Sequence, residues 1–405
     1  MNKKATGGAL VFLFALTYMT SYITRINYDA IIAEMVRATG YTKDVLSLSL
    51  TGMFIAYGSG QILSGLLADR FSPKRLVTIG LSLSTLMNIA VPLCNSPYIM
   101  LICWCINGLA QAFMWPPLIK LMTANFEDEA YKNAVTKVSW GSSIGTIVIY
   151  LVAPLVISIA SWKWVFWFSA AAAIIMIAVW NLFCPEYSKE PLSETKTETE
   201  APQNQKSGAA VLFNPLMIFV MLAIVLQGML RDGVTTWMPS YISETYNLGT
   251  EIAILTGVVL PIFSIICFAV TGTLHRKWLR NPLVCAGFIF AIGTAAAVLL
   301  YFFTSANVIF SVALSAILTA SMHGVNLMLI CMLPDYFKKF GKVSTISGIL
   351  NSCTYIGSSI STYGIALISE KAGWNFTLLV WFLIALTGTV ICFAAAKPWT
   401  KKMGE

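Results

Sequence analysis

Two arginines stand where a hydrophobic chain ought to have none. Arg25 closes the run GGALVFLFALTYMTSYITRINYD (7–29), and Arg231 closes PLMIFVMLAIVLQGMLRDG (215–233). A guanidinium at mid-membrane depth costs roughly 2.5–3.5 kcal/mol, so intramembrane charges face a polar interior and mark function by default. The chemistry on offer is anion binding, because the planar guanidinium grips a phosphate, carboxylate or sulfonate through two parallel hydrogen bonds. Tyr18, Tyr22, Arg25 and Asp29 fall at i, i+4, i+7 and i+11, one narrow stripe of a helix. Two phenols, a cation and a carboxylate in line describe a cavity wall rather than a lipid face. Tyr57 and Gln61 repeat the i, i+4 spacing in the next apolar run, and Asp232 adjoins Arg231. The competing reading is an ion pair that only ties helices together. Snorkelling fits poorly, since Tyr28, Ile31, Ile32 and Met35 carry the apolar run past Arg25.

The elements that hold these residues are membrane spans. The 405 residues are 57% hydrophobic and 11% charged, far from the balance of a water-soluble domain. Apolar runs long enough to cross a bilayer recur at 8–36, 44–68, 76–93, 98–125, 132–158, 163–183, 214–242, 250–273, 282–303, 306–333, 344–369 and 373–396. The expected fold is therefore an all-α membrane protein of twelve transmembrane helices. The N-terminal run is read as the first span and not as a cleaved signal, being too long and without a small-residue cleavage site. A polar segment rich in Ser, Thr, Glu and Pro (184–208) divides the spans six and six. The implied plan is an N-terminal six-helix bundle (1–185), a cytoplasmic linker (186–213) and a C-terminal six-helix bundle (214–405). Arg25 and Arg231 then lie at matching depths in the first helix of each half, as parallel repeats around a midplane site require.

Basic residues set the orientation. Alternate short loops gather Lys3, Lys4, Arg70, Lys74, Arg75, Arg276, Lys277, Arg280, Lys338, Lys339 and Lys342, whereas the opposite loops hold only Arg37, Lys43, Lys163 and Lys371. Both termini are accordingly expected in the cytoplasm, with the chain in the plasma (cell inner) membrane. The same bias accounts for the net charge of +8, so no nucleic-acid partner is implied. The nine cysteines show no CxxC pattern, which supports neither a disulfide framework nor a metal site. There is no Walker A motif, and neither a cofactor nor an enzymatic role is expected. Gly58, Gly60, Gly141 and Gly145 read as small residues for close helix packing. His323 is open to two readings, a packing residue or a site-lining one, and Lys120 reads as snorkelling.

The segment GSGQILSGLLADRFSPKR (58–75) resembles the loop signature of the major facilitator superfamily, with Gly65, Asp69, Arg70, Lys74 and Arg75 on its positions. The second-half copy, GTLHRKWLR (272–280), has His275 where an acid is expected. More narrowly, YITRINY (22–28), AYGSGQ (56–61), WPP (115–117), LRDGVTTWMPSYI (230–242) and TYIGSS (354–359) resemble the organophosphate:phosphate antiporter family. That resemblance implies the major facilitator fold of two six-helix bundles. It also implies that Arg25 and Arg231 grip the anion while Tyr18, Tyr22, Tyr57, Trp115 and Tyr355 line the site. His323 falls where the glycerol-phosphate branch of that family has tyrosine. Gln61 replaces a lysine, Ser142 stands near a site histidine and Gly228 replaces another tyrosine.

Two carboxylates beside two guanidiniums temper the expectation of a phosphate dianion. The expected protein is a monomeric secondary transporter for a small organic anion. An organic phosphate is the first candidate and a phosphate-free carboxylate or sulfonate the second, with inorganic phosphate or a proton as the coupling ion. A membrane sensor of a sugar phosphate is the alternative. Asp29 and Asp232 are expected as charge partners of the arginines or as proton-coupling groups.

Overall fold

A computed structural model describes residues 3–126, 128–185, 215–304, 307–333 and 343–403. The segment 186–213 expected as a linker lies outside the described residues, as do the side chains of Asp69 and Arg70 in the loop signature. The helices are α1 (Lys3–Thr39), α2 (Lys43–Arg70), α3 (Pro73–Ala90), α4 (Pro97–Ala112), α5 (Trp115–Asn125), α6 (Asp128–Ile159) and α7 (Lys163–Phe183). They continue as α8 (Pro215–Tyr246), α9 (Thr250–Thr256), α10 (Val259–Lys277), α11 (Pro282–Phe303), α12 (Val308–Asn326) and α13 (Val343–Met403). Ten described stretches are long and apolar enough to cross a membrane. The last of them holds two spans, because Gly373 adopts φ 78° and ψ 176° and divides α13 into two helices across a kink, a conformation open to glycine and few other residues. With α2 the total is twelve, the number expected from the apolar runs.

Local sequence explains where the helices start and break. Proline occupies the first positions of α3, α4, α5 and α11, where its missing N–H would have been unpaired in any case. The Asn281 side chain accepts from the N–H groups of Leu283 and Val284, and Asn307 caps α12 by accepting from Ile309 N. The run 98–125, expected as one helix, breaks at Phe113–Met114 ahead of Trp115-Pro116-Pro117. Pro116 and Pro117 have no N–H to bond the carbonyls four residues back, so the ladder of α4 cannot run on through them.

Helices α1 to α7 pack on one another, as do α8 to α13, and α2 against α13 with α1 and α6 against α8 and α9 join the two sets. Close seams hold two of these pairs. A Cβ on Gly141 or Gly145 of α6 would lie 2.5 Å from the carbonyl oxygens of Ala15 and Met19 in α1. On the other side, Gly228 of α8 lies against the Thr354 carbonyl and Gly357 of α13 against that of Val225, where a Cβ would come within 2.2 and 2.0 Å. Gly228 is thus a packing residue. No tyrosine fits there, whatever stands at that place in the resembling family.

One end of the bundle is bolted. At the end carrying Thr39, Lys43 Nζ meets Glu244 at 2.7 Å, its backbone N–H donates to Glu370, and Trp374 Nε1 donates to Glu244 at 2.9 Å. Thr250 donates to Glu34 at 2.5 Å, and Glu34 also holds Arg37. Deeper along the same side, the Tyr150 hydroxyl reaches the Thr235 carbonyl at 3.4 Å.

Candidate functional site

Behind these bolts lies a cavity of about 340 Å³ between the two sets of helices. The whole predicted stripe of α1 faces it: Tyr18, Tyr22, Arg25 and Asp29 are all on its wall. Arg231 and Asp232 face it from α8, Trp115 from α5, Ser142 from α6, His323 from α12 and Tyr355 from α13. Tyr57 stands just behind the wall, and its ring lies 4.9 Å from the Arg25 guanidinium and 4.8 Å from the Tyr355 ring. Gln61, expected in the site, is half-buried one turn further along α2 and off the wall. The contact of Gly58 with Tyr355 closes α2 against α13 on the near side of it.

The two arginines have different neighbours. Arg25 is sandwiched by rings, with its guanidinium 4.3 Å from the centre of Tyr22 and 4.9 Å from that of Tyr57. Its Nε is buried and has no hydrogen-bond partner among the described residues. Asp29 does not pair with it. Instead Asp29 accepts from Thr236 of α8 at 3.0 Å, and its second oxygen is buried without a partner among the described residues. Four residues of helix put the carboxylate a full turn beyond the guanidinium, toward α8. The expected Arg25–Asp29 pair is therefore corrected to a contact between α1 and α8. Arg231, by contrast, donates through Nε and Nη2 to both oxygens of Asp232, at 2.8 and 2.7 Å. Ser358 of α13 adds a third bond to that carboxylate at 2.5 Å. Arg231 also lies 5.9 Å from the Tyr355 ring, so the ring pair Tyr57–Tyr355 stands between the two cations.

Several features were not foreseen from the sequence. Ser139, Ser143 and Thr146 join the expected Ser142 on the cavity wall, at i, i+4, i+7 and i+3 of α6, a hydroxyl stripe that the spacing rule could have flagged. Asn326 and Thr319 extend the polar wall beside His323, whose ring lies 5.7 Å from Phe268. Behind α1 runs a buried amide network. Asn27 donates to Asn88 at 2.6 Å and to Ser169 at 3.0 Å, Asn88 and Asn107 donate to the Thr24 carbonyl, and Gln111 donates to Thr24 and Ser84. These bonds fix the face of α1 opposite Arg25 against α3, α4 and α7. No group of His, Cys, Asp and Glu able to hold a metal ion exists among the described residues.

Residues 14–362 match the profile of the Major Facilitator Superfamily. The chain belongs to the major facilitator superfamily. It is similar to the glycerol-3-phosphate transporter of Bacillus subtilis (strain 168), at 27% identity over 96% of this chain and 91% of the relative. It is also similar to a probable hexose phosphate transport protein of Chlamydia muridarum (strain MoPn / Nigg), at 24% identity over 91% and 87%. Among solved structures, a bacterial homologue of the human lysosomal transporter Spinster superposes with a TM-score of 0.84 at 14% identity, covering 98% of both chains. That last likeness establishes the fold alone. The relatives support the resemblance to organophosphate:phosphate antiporters. A multi-pass membrane transporter, and not an enzyme, is what family and fold describe.

Proposed function

We propose that this superfamily member carries a small organic anion through the cavity by alternating access, with organic phosphates the first class to test. The single observation that carries the reading is that Arg25 and Arg231, one from each set of helices, face one cavity. An anion bridging them draws α1 and α8 together and favours closure around itself, and rocking then exposes the site to the other side. The names of its relatives supply the substrate class, and the hydroxyl stripe of α6 suits a hydroxylated carbon skeleton. Glycerol phosphates and hexose phosphates, which those names point to, are the first solutes to test.

In this reading residues 1–185 and 214–405 move as two bundles, both termini lie in the cytoplasm, and the Thr39 end faces outward in a cell inner membrane. The bolts at that end make the described state closed to the outside. Asp29 is the proposed coupling group. It touches Thr236 across the α1–α8 contact, and no cation among the described residues pairs with it, so a proton can neutralise it as the helices part.

Flux into liposomes tests the proposal. Labelled glycerol 3-phosphate should enter at a rate that depends on Arg25 and Arg231 and responds to trans phosphate or to a pH gradient. Binding without flux would favour the sensor alternative. Absence of both would sink the organic-phosphate reading and leave carboxylates and sulfonates to test.

A further inference from the structure

The charges on the cavity wall do not add up to a site for a doubly charged ligand. Among the described residues two guanidiniums face the cavity, but so do two carboxylates. Asp232 holds Arg231 through two hydrogen bonds and is itself fixed by Ser358. That pair is neutral and anchored from both α8 and α13. Arg25 is the cation without a described carboxylate partner, and aromatic rings flank it. Rings stabilise a cation through their quadrupole without cancelling its charge.

We propose that the site selects a singly charged tetrahedral oxyanion, such as a phosphodiester or an organic sulfate, over a dianionic phosphate monoester. Asp232 is the residue that sets this preference. The inference rests on the carrier reading above and narrows its substrate class. Asp232 occupies one edge of the Arg231 guanidinium, the Nε–Nη2 edge. Of the five N–H donors, those on Nη1 and the second on Nη2 remain for a ligand. Arg231 therefore still orients an oxygen of the anion while adding no net charge. Counting Asp29, the wall carries one net positive charge when that carboxyl is protonated and none when it is ionised, so Arg25 offers at most one unit of charge for the ligand to match. A second negative charge would meet the Asp232 carboxylate in a desolvated cavity, where like charges repel strongly. The α6 hydroxyl stripe then receives the uncharged, hydroxylated part of the ligand.

The test needs three probes of one skeleton at pH 8 and fixed ionic strength, on the full chain in detergent. They are glycerol 3-phosphate (a dianion there), its methyl phosphodiester and glycerol sulfate (both monoanions). Calorimetric Kd values for the unaltered protein should be tighter for the monoanions by about tenfold or more. Asp232→Asn should shift the ratio toward the dianion by about tenfold, because the amide keeps an acceptor for Arg231 but drops the charge. Ser358→Ala, which leaves the charge in place, should leave the ratio unchanged. A dianion that binds more tightly than the monoanions, with binding lost in Arg25→Ala, overturns this proposal and leaves the carrier reading standing. An unchanged ratio in Asp232→Asn overturns the role of Asp232. Absence of binding by either charge class removes both proposals. If Asp232→Asn does not fold, the ratio of Kd values for the unaltered protein still decides between monoanion and dianion.

Discussion

Arg25 and Arg231 stand in α1 and α8, yet the protein solves the problem of a cavity-lining guanidinium in two ways. Around Arg231 a carboxylate on the next residue neutralises the charge, and a serine from another helix holds that carboxylate. Around Arg25 there are rings, and the carboxylate of the same helix looks away toward α8. The supports differ too. Behind α1 stands a web of amides and hydroxyls from three helices. Behind α8 the comparable buried group is Gln227, which donates once to the Met322 carbonyl and leaves its own oxygen unpartnered among the described residues. The lesson is that the two sets of helices treat their arginines differently. One arginine has rings and no carboxylate beside it among the described residues, and the other is paired with a carboxylate.

The largest expected effect breaks the comparison on function. Arg25→Ala should lower anion affinity by about a hundredfold or more, and Arg25→Lys should recover little of it, since an ammonium cannot offer two parallel donors. Calorimetry on the purified variants checks this, and near-native affinity in Arg25→Lys would contradict the bidentate role. Next comes stability. Arg231→Ala leaves Asp232, whose side chain is 17% exposed, without its cation and should destabilise by about 2–3 kcal/mol, below the range for a fully buried pair. The double variant Arg231→Ala/Asp232→Ala should regain most of that. Arg25→Ala, which orphans no carboxylate, should cost far less. Unfolding in detergent compares all three, and equal losses for the two arginines would erase the distinction drawn above.

A smaller effect sharpens the contrast between the supports. Asn27→Ala removes donors to Asn88 and Ser169 and should destabilise by about 1–3 kcal/mol, because it strands buried polar atoms. Gln227→Met should cost less, since only one bond is lost. The smallest effect concerns the bolted end. Lys43→Ala breaks an ion pair whose Glu244 side is 46% exposed, so stability should change by about 1 kcal/mol or less. Access should change more. A cysteine placed at Thr235, with reactive native thiols removed, should react faster with an impermeant maleimide applied from the Thr39 side. Unaltered labelling would mean that Lys43 does not help to hold that side shut.

Period and composition made the twelve helices legible, along with the α1 stripe, because helical spacing alone decides which residues share a face. Tyr18, Tyr22, Arg25 and Asp29 all reach the cavity as that spacing predicts. Sequence could not show which atom each charge meets. Asp29 and Asp232 differ in spacing from their arginines, four residues against one, but spacing alone does not say which of them pairs. The first is one turn from its arginine and points to Thr236, whereas the second folds back onto its immediate neighbour. Gly228 looked like a lost site residue because contact with the Thr354 backbone is a tertiary fact. Gln61 kept the right spacing from Tyr57, but the meeting of Gly58 with Tyr355 decides where the wall ends. The amide web escaped notice because its members come from four helices with no shared period.

The glycine seams bear on how a chemist would block this protein. With no Cβ between them, α1 and α6 are joined backbone to backbone, and so are α8 and α13. Arg25 and the α6 hydroxyls thus form one plate, and Arg231, Asp232 and Tyr355 form the other. A molecule that touches a single plate can bind tightly and still do no work on the protein, which makes it an inhibitor. To be cargo, a molecule must be long enough to touch both plates and short enough to let them meet.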